Sequence, residues 1–205
     1  MKSIFCLLVG YFMGAFNPAQ ALSRQKNIDL RQEGTGNLGA SNALLVLGKK
    51  YGAVVMVIDI FKAWLASRMM RRLFPELGVG GLLGGFGAVL GHVFPFHLGF
   101  RGGKGLASFA GMVLAQDPAI FLILLIVGVG LMLLINYSFV LPITTALLLP
   151  GTMLLKTGSL SIFAVCLASS ILIIAKHWRN IGRALRGDEA RIRDIICFTV
   201  FAKNN

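Results

Sequence analysis

Pro118-Ala-Ile-Phe-Leu-Ile-Leu-Leu-Ile-Val-Gly-Val-Gly-Leu-Met-Leu-Leu-Ile135 is a run of 18 residues without a charge, an amide or a hydroxyl side chain. As a helix rising about 1.5 Å per residue it is about 27 Å long. The hydrocarbon core of a bilayer is roughly 30 Å thick. In lipid every backbone N–H and C=O must be satisfied within the protein, and a helix does this locally. Asp117 in front of the run is a good N-cap, and Pro118 occupies the first helical position, where its missing N–H costs nothing. The stretch predicts a membrane-crossing helix.

Working outward, Ser138–Leu155 and Leu160–Ala175 follow it as further apolar spans. Leu106–Ala115, Gly78–Phe96, Tyr51–Ser67 and Ser3–Leu22 precede it. Leu106–Ala115 is too short to cross alone and leans on the glycine loop before it. Ser3–Leu22 has a rival reading, because Lys2, an apolar run and Ala19-Gln20-Ala21 resemble a cleaved signal segment. Counted as a helix, it makes seven crossings. The expected fold is an all-α integral membrane protein, a seven-helix bundle whose cytoplasmic glycine-rich loops form the site. Residues 1–189 are expected to be one domain and 190–205 a cytoplasmic tail, whose Ile192, Ile195, Ile196 and Phe198 could lie on the membrane surface.

Composition agrees. Of 205 residues, 56% are apolar, 14% are charged and 25 are glycine. Soluble domains carry about 25% charged residues, so an ordinary water-soluble enzyme is excluded. Membrane bundles use glycine for close helix packing. The formal charge of +12 is a topology signal before it is a nucleic-acid signal. Most Lys and Arg fall in loops 23–50, 97–105 and 136–137 and in the tail from Lys176. The positive-inside rule makes that side cytoplasmic, with the N-terminus outside and the C-terminus inside. Arg68, Arg71 and Arg72 fall on the wrong side for this scheme. Cys6, Cys166 and Cys197 have no metal-ligand spacing and read as small hydrophobes.

The polar residues gather in three stretches on the richer side. The first holds Gly34-Thr35-Gly36-Asn37-Leu-Gly39-Ala-Ser41-Asn42. Its G-x-G-x-x-G spacing lacks the preceding strand that a dinucleotide fold needs. Glycines can still turn consecutive N–H groups towards an anion, although a tight turn between helices has the same composition. The second is Gly91-His92-Val-Phe-Pro95 followed by Gly102-Gly103-Lys104-Gly105. It is not a P-loop, because Leu98 stands where that motif needs glycine. A glycine loop opening a helix beside a lysine is an anion cradle, or else a hinge with a snorkelling lysine. The third, from His177, puts His177, Asn180 and Arg183 on one helical face. A basic juxtamembrane helix touching headgroups would read the same way. Asp59 and Lys62 form an i, i+3 pair inside a span, read here as structural or as a site wall.

Taken together, the chain resembles the bacterial acyl-phosphate:glycerol-3-phosphate acyltransferases, the PlsY family, from about Gly14 to Glu189. Four pieces in order carry the resemblance: Gly34–Asn42, Gly91–Pro95, Gly102–Gly105, and His177-x-x-Asn180-Ile-x-Arg183 with Gly187-x-Glu189. Gly48-Lys-Lys-Tyr-Gly52 and Asp59-x-x-Lys62 support it. The resemblance implies seven helices, an uncleaved first helix, and transfer of an acyl chain from acyl phosphate to the 1-hydroxyl of glycerol 3-phosphate. Lysophosphatidic acid and phosphate are the implied products. Neither metal nor organic cofactor is implied, the expected surroundings are membrane lipid, and a monomer or homodimer is expected. Carried onto this chain, it implies catalytic roles for Thr35, Lys104, His177 and Asn180. It implies substrate or phosphate binding by Gly34, Gly36, Asn37, Gly39, Asn42, His92, Gly102, Gly103, Gly105, Arg183 and Glu189. A substrate phosphate oxygen would take the hydroxyl proton; from the residues alone, His177 is the candidate base.

The chain departs from the family pattern at Thr35, where serine is usual, and at Leu45, where arginine is usual. A missing guanidinium removes a charge-assisted phosphate contact. Three functions fit: this acyl transfer, transfer to another polyol phosphate, or a non-enzymatic lipid-binding or anion-transporting relative.

Overall fold

The structure, a computed structural model, describes residues 1–194. Ile195, Ile196, Cys197 and Phe198 of the expected tail lie outside the described residues. The α-helices of the described chain are α1 (Lys2–Ala15), α2 (Pro18–Gln25), α3 (Ala40–Leu47), α4 (Lys49–Leu73), α5 (Gly80–Val93), α6 (Leu106–Gln116), α7 (Pro118–Ile135), α8 (Val140–Thr157) and α9 (Leu160–Leu185). Among the described residues, five stretches are long and apolar enough to cross a membrane: Lys2–Gln25, Gly80–Leu98, Pro118–Ile135, Val140–Thr157 and Leu160–Leu185. The other two expected crossings correspond to α4, which has the length but carries charges, and α6, whose 11 residues reach only about 16 Å.

The first span is not one helix. Asn17 ends it in an extended conformation, caps α2 by accepting from the Gln20 N–H at 2.8 Å, and Pro18 starts the new helix. α1 is an integral packed element. A Cβ added at Gly14 would stand 2.0 Å from the Ala88 carbonyl, and one at Gly91 2.0 Å from the Tyr11 carbonyl. The backbones of α1 and α5 therefore touch, which is how membrane helices gain packing where lipid removes the hydrophobic drive.

α7 shows the opposite surface. Ile120, Leu124 and Gly128, spaced four apart, face the bundle, while Leu122, Ile123, Ile126 and Leu134 are exposed. An apolar belt of this kind is suited to lipid contact. The main core joins Val89 and Val93 of α5, Phe109 and Met112 of α6, Leu149 and Met153 of α8, and Ile173 of α9.

One end of the bundle is tied by short polar links. Arg71 donates to the Gln116 side chain, Gln116 Nε2 to Ser67 Oγ at 2.7 Å, and Ser67 Oγ to the Gly81 carbonyl at 2.6 Å. Lys156 pairs with Asp117, and Lys2 with Glu76 at 2.6 Å. Arg71 is thus held by helix-to-helix contacts, which accounts for one of the basic residues at odds with the charge rule. The glycine loops occupy the other end.

Candidate active site

The first glycine loop is shaped from beneath by Asn42. This fully buried side chain accepts the Thr35 N–H at 2.7 Å and donates to the carbonyls of Leu30 at 2.8 Å and Glu33 at 3.1 Å. Gly34 is required twice, by its φ of +59° and because a Cβ would stand 2.3 Å from Asn42 Oδ1. Thr35 and Gly36 are exposed, Asn37 is half-buried, and Gly39 begins α3. Asn42 therefore holds the loop, while the Thr35 hydroxyl and Asn37 amide are available on its surface.

The Gly102–Gly105 strap is pinned on its inner side. The Gly102 and Gly103 N–H groups donate to the last carbonyls of α5, Val93 and His92, both at 3.1 Å. A Cβ at Gly103 would stand 2.1 Å from His92 Nε2 and 3.0 Å from the Leu38 carbonyl. The strap thus presses against both α5 and the first loop, and only glycine leaves room. Below it lies a buried polar cluster. His92 Nδ1 stands 3.2 Å from Asp59 Oδ1 and 3.1 Å from Lys62 Nζ. Lys62 also meets Asp59 at 2.8 Å and donates to the Phe16 carbonyl at 2.7 Å. His92, expected as a binding residue, is buried under the strap as its support. Asp59 and Lys62 were legible as a pair; their junction with His92 needed the fold.

The N–H groups of Gly36, Gly102 and Gly103 are engaged within the protein. The expected convergence of these donors on an anion is therefore replaced. The first turns of α3 and α6 start at Gly39 and Gly105 without a side-chain cap, and their N–H groups point outward from the helix ends.

The end of α9 completes the site. Lys104 Nζ donates to Asn180 Oδ1 at 2.6 Å, Asn180 Nδ2 to Glu189 Oε1 at 2.5 Å, and Arg183 Nε to Glu189 Oε2 at 2.6 Å. Gly187, with φ of +80°, turns the chain so that Glu189 returns over the helix. One carboxylate is thus shared between an amide and a guanidinium, and the four groups carry a net positive charge. Burial and the nearby Arg183 lower the Lys104 pKa below 10.5, with Glu189 opposing. Buried His177 donates Nδ1–H to the Ile173 carbonyl at 2.8 Å, which leaves Nε2 as the ring nitrogen not used by that bond. Among the described residues it makes no hydrogen bond to Asn180, although they share a helical face. Gly105 packs on the Ile173 side chain, which brings the strap against the His177 turn.

The family model described as Glycerol-3-phosphate acyltransferase matches residues 4–187. This chain belongs to the glycerol-3-phosphate acyltransferase family. A glycerol-3-phosphate acyltransferase of Aquifex aeolicus is 31% identical over 191 residues, 93% of this chain and 100% of that protein. One of Bacillus cytotoxicus is 36% identical over 186 residues, 90% of this chain and 92% of that protein. The crystal structure of PlsY, an integral membrane glycerol 3-phosphate acyltransferase, in its glycerol 3-phosphate form superposes with a TM-score of 0.86 at 30% identity. It covers 93% of this chain and 96% of its own. The lysophosphatidic acid form of PlsY gives 0.84 at 29% identity, over 93% and 95% of the two chains. Within this family framework, Leu45 lies on α3 and is 43% exposed, so its side chain fills no core position that an arginine would disturb.

Proposed function

We propose that the protein is an integral membrane enzyme of phospholipid synthesis that transfers an acyl chain from acyl phosphate to the 1-hydroxyl of glycerol 3-phosphate. The linked Lys104–Asn180–Glu189–Arg183 group, set against the strap that opens α6, carries this reading. Both substrates bring phosphate, and this end of the bundle offers two cationic side chains and two uncapped helix starts.

In the reaction the hydroxyl oxygen bonds to the acyl carbon, the bond from that carbon to the phosphate oxygen breaks, and the hydroxyl proton is lost. Acyl phosphate is an activated anhydride with a good leaving group. Alignment of hydroxyl and carbonyl therefore supplies much of the acceleration. Lys104 balances charge on a phosphate, and its contact with Asn180 fixes the ammonium. Thr35, Asn37 and the open N–H groups orient the acceptor and the developing oxyanion. A phosphate oxygen of the substrate takes the proton; His177 Nε2 is the protein group able to do so. The acyl tail lies among the helices, each buried methylene adding about 0.8 kcal/mol. The site faces the cytoplasm, with the N-terminus outside, by the distribution of Lys and Arg.

The test is phosphate release from palmitoyl phosphate by the purified protein, with and without glycerol 3-phosphate. Acceptor-dependent release with lysophosphatidate as product is expected. Folded protein that turns over only with another polyol phosphate would replace the acceptor, and no turnover with any would overturn the enzyme reading.

A further inference from the structure

Beside the loops lies a cavity of about 510 Å³ that shares no residue with the Lys104 group. Gln20 and Arg24 of α2, Arg31 of the first loop, and His97 and Arg101 after α5 line it. No carboxylate does. Arg31 is fixed, donating to the Leu98 carbonyl at 3.3 Å. Among the described residues the Arg24 and Arg101 guanidinium groups have no hydrogen-bond partner, and buried Gln20 Oε1 has no donor. An adjoining hollow of about 430 Å³ shares Gln20, Arg24 and Arg31 and adds Asp29. The Asp29 carboxylate already accepts from the Arg31 N–H at 3.0 Å and Gln32 Nε2 at 3.1 Å.

The cavity asks for an anion to meet its guanidinium groups. Exposed aromatic rings flank its lining residues in the chain. Phe96 and Phe100, on either side of His97, are 52% and 60% exposed. Phe12 of α1 and Phe16 just after it are 60% and 55% exposed, and the Phe12 and Phe96 rings meet edge-on at 5.9 Å. Phe100 is exposed from a left-handed conformation, φ +60°, which is unfavourable for a non-glycine residue. Exposed phenylalanines beside arginines match a membrane boundary, where rings enter the acyl region and guanidinium groups meet headgroup phosphates.

We propose that this cavity binds the headgroup of an anionic phospholipid. The phosphate sits between Arg24, Arg31 and Arg101. The site is separate from the acyl-transfer site, and the inference does not rest on the transfer reading.

The experiment uses the full-length protein and measures lipid retention by native mass spectrometry after reconstitution in phosphatidylcholine with phosphatidylglycerol. Phosphatidylglycerol should be retained selectively, and Arg24→Gln/Arg101→Gln should weaken retention about thirtyfold, from the loss of two cations near the surface. The charge-matched control Lys49→Gln/Lys50→Gln should retain it. Arg24→Gln alone, which breaks no side-chain hydrogen bond or ion pair among the described residues, repeats the test if the double variant misfolds. Equal loss in the lysine control would overturn the site in favour of general electrostatics. Displacement of the lipid by millimolar inorganic phosphate or glycerol 3-phosphate would make it a soluble-anion site, and unchanged retention in the arginine variants would overturn it outright.

Discussion

α6 and α7 are neighbours in sequence, and their N-termini are finished in opposite ways. At α7, Asp117 accepts the N–H groups of Ala119 and Ile120 at 2.9 and 3.0 Å and pairs with Lys156. The helix has supplied its own anion. At α6, Gly105 offers no side chain, and the nearest charge is the cation Lys104. A helix start carries about half a positive charge, so α7 is satisfied while α6 is left without an anion of its own. The Lys156 link lowers the Asp117 pKa, with the backbone donors adding to it, whereas burial lowers that of Lys104. One terminus is closed by its neighbours. The other is held open by backbone packing on its inner face.

Four measurements break or sharpen this contrast. Lys104→Ala should reduce kcat/KM about 100-fold or more, the scale seen when one charge-stabilising donor is removed, with little change in the unfolding midpoint. Wild-type turnover would take Lys104 out of the site. Gly103→Ala forces a methyl into the His92 ring and should cost about 1–3 kcal/mol of stability by overpacking. It should also lower kcat, because the strap that positions Lys104 must move; full activity would show that the strap tolerates displacement. At the closed terminus, Asp117→Ala should cost about 1 kcal/mol of stability through the lost cap. Its kcat/KM per folded molecule should stay unchanged, and a large kinetic loss would end the distinction between the two helix starts. Leu45→Arg should lower the KM for glycerol 3-phosphate about threefold, as a surface charge-assisted contact would. An unchanged KM would mean that other residues of the loop end already balance the acceptor charge.

The pH dependence has a definite sign. Anion binding needs protonated Lys104, whose pKa lies below 10.5. The alkaline limb of kcat/KM should fall earlier than an ordinary lysine would dictate. Glu189 opposes the downward shift and Arg183 adds to it. Glu189→Gln should therefore move the limb to lower pH, and Arg183→Gln to higher pH. Stability runs the other way. As pH rises through the lowered pKa the native state sheds a proton that the unfolded state keeps, so the burial cost is relieved. A limb that ignores both substitutions would assign it to another group.

Much of this was legible from short-range pattern. Asp117-Pro118 marked a helix start, and α7 begins there. Asn17-Pro18 carries the same signal inside the first span, but the surrounding apolar run masks it, so the sequence reads α1 and α2 as one helix. The His177, Asn180 and Arg183 face was readable because a helical period alone places it. Three features were not. Asn42 lies in the motif, yet only the fold shows that its amide is occupied by carbonyls 9 and 12 residues away. His92 lies in another, and its partners stand 30 and 33 residues distant. The Arg24, Arg31 and Arg101 cavity joins three segments whose spacing follows no period.

The sequence by itself determined that the chain is a helical membrane protein and that its polar residues gather in three stretches. Apolar run length, caps and glycine positions act over a few residues, and their physics needs no partner. Tertiary structure decided what each polar group does. It turned the Gly102 and Gly103 donors inward, set His92 beneath the strap, and joined Lys104 to Asn180 across 76 residues of chain. Buried hydrogen bonds are directional over about 3 Å, and only the packed helices bring distant groups within that reach.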